Sequence, residues 1–457
     1  MLRLGRANLP SPQFWALLVC FAAIFVMGGS SRGDVQSLAL LNPLMIVCCG
    51  GALLTLQREH LQGKGLYFVS YLVIFLLVMI YLPSLASEVG ASSSGLATLV
   101  ALSTAVDARS SYYSAADVSP TAWQSIYFLF VPMAVSLFAI QLPRDELRLT
   151  LPLIIGIGTI SGILGVLQLA GNASGSLNFY NITNNGSAVG LFANRNHSAV
   201  FLACLFPLLA LFAAQSRLAN RNGRKATHLF AIAISILLVP LILVTGSRSG
   251  MLSAILGLVG GAILYITHAP SMSGLQTRRS FTPLLAISTL LCLVVATIYF
   301  SRAEAIDRIF ADSGLINDRS KFWSSSLQLF GQYFPFGFGP GGFVPAFQSI
   351  EPPEMLDGAY LNRLHNDWLE TELTFGVPGI FLMLAGTVYY VRRSFVLWMR
   401  MDGARSSVAL GRMASIVLAI FAIASASDYP LRTPAMASFA ALALVWFSHA
   451  SVRPKSA

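Results

Sequence analysis

Residues 149–170 read LTLPLIIGIGTISGILGVLQLA, an unbroken run without one charged side chain. A stretch of about 20 mainly apolar residues is what a helix needs to cross the hydrocarbon core of a bilayer. Lipid offers no partner for open backbone groups, so such a run has to be helical. It lacks the period-two alternation of a barrel strand. The rest of the chain repeats the pattern. By hydropathy, similar runs fall near 14–30, 36–56, 66–83, 121–141, 198–214, 229–245, 249–267, 282–300, 376–391, 411–427 and 434–450. The sequence therefore predicts an all-α, polytopic integral membrane protein with about twelve transmembrane helices, built as a single membrane domain over residues 1–457.

Composition agrees. Of the 457 residues, 55% are hydrophobic and 11% charged, whereas soluble domains carry about 25% charge. The first apolar run follows Arg3 and Arg6 and resembles a signal peptide, but no small-residue cleavage site closes it. It reads as a retained first helix. All five cysteines (Cys20, Cys48, Cys49, Cys204, Cys292) fall inside apolar runs. They lack metal-site spacing and read as small buried residues.

A net charge of +10 would suggest nucleic acid in a soluble chain. Its distribution argues otherwise. With the N-terminus inside, the inner segments hold 19 of the 29 basic residues, the short outer loops five and the segment 301–375 five. That is the positive-inside bias, so no nucleic-acid partner is expected. Both termini are then cytoplasmic, and residues 301–375 form a long outer segment before the tenth span. Two other outer segments are long: 84–120, rich in Ser and Ala and read as a re-entrant or lid-like excursion, and 171–197, rich in Gly, Asn and Ser.

Within the long outer segment, Asp318 is placed to cap a helix running to about Tyr333, with Phe322, Leu329 and Phe330 as its apolar stripe. Phe334-Pro335-Phe336-Gly337-Phe338-Gly339-Pro340-Gly341-Gly342 must be a turn-rich loop. A second helix is expected from about Asn366. If it includes His365, then His365, Trp368, Leu369 and Glu372 share one face.

Polar chemistry gathers at the outer rim. Arg195 lies in Phe192-Ala193-Asn194-Arg195-Asn196-His197, directly before a span. Arg248 lies in Thr245-Gly246-Ser247-Arg248-Ser249-Gly250, a tight connection between two spans. His365 closes the long segment in His365-Asn366-Asp367-Trp368-Leu369. An arginine so near a span end needs a partner. That partner is a lipid headgroup, a carboxylate, or a bound phosphate, whose oxygens suit the planar guanidinium fork. His365 is either a hydrogen-bonded interfacial histidine or a general base. His197, Arg319, Arg363 and Glu372 are weaker candidates. On the inner side there is neither a phosphate-binding Gly-Lys-Ser/Thr loop nor a dinucleotide fingerprint.

These three motifs, in this order, with Phe375-Gly376-Val377-Pro378-Gly379 closing the last, resemble the O-antigen ligase and O-antigen polymerase family of bacterial envelope glycosyltransferases. The resemblance covers about residues 150–430. It implies transfer of a glycan from undecaprenyl diphosphate, on the periplasmic face of the inner membrane, without nucleotide, metal or other cofactor. It also implies that His365 takes the proton of the acceptor hydroxyl and that Arg195 and Arg248 hold the diphosphate. The acceptor is a lipid A core sugar, a carrier-linked repeat or a protein. Where relatives carry an acid two positions before the glycine that follows the histidine motif, this chain has Thr374, with Glu370 and Glu372 nearby. From another class, a polysaccharide or lipid transporter or flippase is the alternative. It would place charges near the midplane and break helices in paired halves, whereas the runs here are almost free of charge.

Overall fold

The computed structural model describes residues 9–61, 74, 115–171, 177–215, 221–268, 326–351, 361–399 and 406–449. Every regular element among them is helical. These are α1 (Pro12–Met27), α2 (Leu38–Leu54), α3 (Ala115–Gln141), α4 (Arg144–Ala170), α5 (Arg195–Ala214), α6 (Arg221–Val244), α7 (Arg248–His268), α8 (Phe343–Gln348), α9 (Asp367–Met399), α10 (Ser406–Ala424) and α11 (Pro434–His449), with the short turns Arg58–Leu61 and Pro430–Arg432. Six helices, α3 to α7 and α9, are long and apolar enough to cross a membrane, and α1, α2, α10 and α11 are shorter apolar helices. The expected runs 66–83 and 282–300 lie outside the described residues. So do Asp318, Arg319 and Phe322 of the expected capped helix and most of the 84–120 excursion. Its last residues, 115–120, are already the first turns of α3.

The core is organised around α5. Sixteen of its residues are buried, and it packs on α4, α6, α7 and α10. Its contact with α7 depends on small residues. A Cβ at Gly250 would come within 2.2 Å of the Ala199 Cβ, one at Gly257 within 2.5 Å of the Ala203 carbonyl oxygen, and one at Gly261 within 3.2 Å of the Phe206 carbonyl oxygen. Small residues let membrane helices approach this closely, where packing rather than water exclusion drives association. The three contacts advance in step along both helices, so α5 and α7 run parallel. Their N-termini, which begin with Arg195 and Arg248, are therefore neighbours.

Backbone hydrogen bonds tie several chain reversals to that same end. Ala193 donates to Gly29, Ala435 to Gly28, and Asp367 to Ser425. The other end holds Arg412, buried with its Nε donating to the Leu397 carbonyl and Nη1 3.2 Å from His268 Nε2. Arg393 donates there to the carbonyls of Phe447 and Ser448.

A satellite core stands beside the bundle at the Arg195 end. Leu329, Phe343, Ala346, Phe347, Leu364 and Leu373 are buried together. Residues 326–333 are helical, and 334–342 form turns with positive φ at Gly337, Gly339 and Gly341, as the glycine spacing predicts. This unit clamps α9 from outside: the amide of Val377 donates to Pro335, and Phe338 donates to Leu373. At Gly376, φ is 55° and ψ −138°, a region open essentially to glycine alone, and the helix kinks there.

Candidate functional site

The motif around His365 is built by its neighbours. Leu364 is anchored in the satellite core, and its amide donates to Glu370 Oε2 at 3.1 Å. Asn366 caps α9, its Oδ1 accepting from Leu369 at 3.1 Å. Between these fixed points His365 takes φ 58°, uncommon for any residue with a Cβ. His365 thus precedes the helix rather than belonging to it, so the shared face with Trp368, Leu369 and Glu372 does not form. Trp368 instead donates to the Ala422 carbonyl. Glu372 is half-buried and makes no ion pair among the described residues.

The imidazole faces the α10–α11 connection. His365 Nδ1 lies 3.3 Å from Asp428 Oδ1, within ion-pair reach although off the line of a good hydrogen bond. Its ring packs edge-on against Tyr429, with centroids 4.8 Å apart. Asp428 is buried, and its Oδ1 accepts the Tyr429 amide at 3.0 Å. Burial alone would raise its carboxyl, but the adjacent His365 imidazole, the nearby His197 and the Tyr429 amide together hold it below its ordinary value. Burial pushes the Tyr429 phenol up, with the Asp428 charge adding to it.

His197 closes the cluster from α5. It is buried, its Nδ1 is 2.8 Å from Thr433 Oγ1, and its ring packs edge-on against the same Tyr429, with centroids 5.2 Å apart. The cluster thus sits two residues from Arg195. Asn194 caps α5 through the Asn196 amide, and Ser247 caps α7 through the Gly250 amide. The Arg195 guanidinium passes the α6–α7 turn: a Cβ at Gly246 would lie 3.7 Å from its Nη1. The sequence candidates Arg195, Arg248, His197 and His365 are thus gathered at one end, while Arg319 lies outside the described residues.

Arg363 joins a second, ionic cluster. Its Nη1 is 2.9 Å from Glu370 Oε1, and Arg432 reaches Asp367 at 3.2 Å and Glu370 at 3.7 Å. Both carboxylates are buried. Buried carboxylates need such partners, so this network holds the start of α9 against the α10–α11 connection.

Asp428, Tyr429, Asp367 and Glu370 form most of these contacts, and the sequence reading assigns none of them a firm role. The available signal was an acidic residue in a short connection between two apolar runs, on the side of His365. Such a residue is costly there and marks a function or a partner.

Residues 229–384 match the family model described as O-Antigen ligase. This domain match supports the O-antigen ligase/polymerase family. The matched stretch contains both Arg248 and His365, whereas Arg195, His197 and Asp428 lie outside it. No curated protein matches the chain. A match to this glycosyltransferase-like family supports an enzyme acting on glycan-type substrates, and the apolar helices support a multi-pass protein in a lipid bilayer.

Proposed function

We propose that this O-antigen ligase-family protein transfers a glycan from undecaprenyl diphosphate to an acceptor hydroxyl on the periplasmic face of the inner membrane. The observation that carries the reading is the His365–Asp428 pair, 3.3 Å apart, at the end of the bundle where two helix N-termini present Arg195 and Arg248. Asp428 on Nδ1 holds the proton on that nitrogen and leaves Nε2 to act as base, the orienting role a carboxylate plays beside a catalytic imidazole. His365 then takes the proton of the acceptor hydroxyl. The freed oxygen attacks the anomeric carbon, the bond from that carbon to the diphosphate oxygen breaks, and the electron pair leaves with the diphosphate. In-line attack of this kind inverts the sugar carbon.

Diphosphate is a good leaving group, so the main demand is for fixed positive charge near its oxygens. Parallel helix N-termini supply partial positive charge, and Arg195 and Arg248 add full charges with a fork that fits phosphate. In this reading the protein needs neither nucleotide nor metal, and His197 supports the site through Tyr429 and Thr433 rather than reacting itself.

For Arg248→Lys we expect transfer to fall by about 10²-fold, the scale of losing one preorganised donor at a developing charge. A lysine variant with wild-type rate and donor affinity would remove the diphosphate role. Reconstitution with a lipid-linked oligosaccharide distinguishes the acceptors: longer carrier-linked chains identify a polymerase, and product on lipid A core or on protein identifies a ligase or an oligosaccharyltransferase.

A further inference from the structure

Beside the His365 cluster, at the same end of the bundle, lies a cavity of about 640 Å³, inside the range of roughly 300–1,000 Å³ typical of small-molecule sites. Its walls come from the α1–α2 connection, α3, the satellite unit and the starts of α9 and α11. Arg195, Arg248 and His365 are not among the described residues that line it. Three other arginines are: Arg32, Arg363 and Arg432.

Each of the three is committed to a carboxylate. Arg32 pairs with Asp34 at 2.6 Å, Arg363 with Glu370 at 2.9 Å and Arg432 with Asp367 at 3.2 Å. Their side chains still keep 19%, 24% and 24% exposure. The charges cancel, so the cavity offers oriented donors and acceptors without the net positive field a diphosphate requires. The lining also includes the amides of Gln124 and Asn362 and the rings of Phe128 and Phe343. Amides both donate and accept, and such polar groups together with apolar rings suit a molecule that carries many hydroxyls on a carbon skeleton.

The cavity is also coupled to the imidazole. Arg363 and Asp367, which line it, flank His365 at two residues on either side. Ser31 lines it as well, and the Ser31 side chain lies within hydrogen-bonding reach of the Tyr429 phenol, whose ring touches His365. The geometry points to this cavity as the acceptor site: it takes the uncharged, hydroxyl-rich sugars of the acceptor glycan, apart from the diphosphate held by Arg195 and Arg248. This assignment rests on the transferase reading above.

Gln348 is exposed and lines the cavity, so a bulky side chain there narrows the cavity without entering the core. In the reconstituted full-length protein, with rough lipopolysaccharide or carrier-linked repeat as acceptor, whichever the wild type glycosylates, Gln348→Trp should raise the acceptor KM about tenfold and leave the donor KM unchanged. Unchanged acceptor KM, or a rise in donor KM instead, overturns the assignment. Should Gln348→Trp fail to insert, Gln348→Cys reads the same cavity through its maleimide labelling rate, with Ser349→Cys outside the cavity as control. Lipid-free core oligosaccharide or released repeat oligosaccharide should slow labelling about tenfold at near-saturation, and undecaprenyl diphosphate should not. Protection by undecaprenyl diphosphate, or by none of the three, contradicts it. Absence of transfer by the wild type in the same preparation would count against the transferase reading alone, because labelling reports binding without turnover.

Discussion

His365 is the residue on which the proposed chemistry and the backbone meet. Its positive φ is maintained by Leu364 in the satellite core and by the Asn366 cap, and residues held in sparsely populated conformations tend to cluster at functional sites. The histidine and both outer arginines were legible because each stands out as a polar residue beside an apolar run. Asp428 was not, since a lone acid in a short connection has no spacing signature, and its partner is 63 positions away in the chain. We expect Asp428→Asn to lower transfer by about 10²-fold or more, given that replacing the orienting carboxylate of a catalytic histidine costs up to about 10⁴-fold, with membrane insertion and donor binding retained. The same carboxylate contributes to stability. Its folded value lies below the ordinary 3.8, so its contribution is complete above that value and is lost as pH falls through the lower, folded one. In detergent, wild type should therefore unfold later than Asp428→Asn at neutral pH, and the gap should close as the pH drops below about 4. A gap that widens on acidification would show that the carboxylate is not held ionised by its neighbours.

At the scale of elements, ten of the apolar runs read from hydropathy fall on helices, because length and apolarity alone specify a buried helix in lipid. The turn at 334–342 was equally legible from its glycines. What hydropathy could not supply is which helices touch. The parallel contact of α5 with α7 depends on Gly250, Gly257 and Gly261 meeting particular atoms across the interface, and this contact brings Arg195 to Arg248. The kink in α9 was also hidden, since a glycine inside an apolar run can serve many purposes. A Cβ at Gly376 would fall 2.0 Å from the Pro335 carbonyl oxygen, on a backbone that L-residues avoid. Gly376→Ala should therefore destabilise the protein by about 1–3 kcal/mol, seen as a lower unfolding temperature and weaker transfer. An unchanged unfolding temperature would mean that the satellite unit does not clamp α9.

For the whole molecule, the asymmetry of charge in the sequence and the separation of polar chemistry in the fold agree. His365, Arg195 and Arg248 gather at one end, and Arg412 and Arg393, which belong to the basic-rich segments, lie at the other. The family match over residues 229–384 supports an O-antigen ligase- or polymerase-type function in general, and glycan transfer at that arrangement is the proposal. The central claim is that His365 is the base at a lipid-linked sugar site, and general bases contribute about 10²–10⁴-fold to rate. The most direct test is transfer by purified protein in liposomes supplied with an undecaprenyl-diphosphate-linked oligosaccharide and an acceptor, comparing wild type with His365→Ala. The account predicts metal-independent transfer by the wild type and a loss of at least about 10²-fold in the variant, with donor binding retained; full activity of His365→Ala would contradict it.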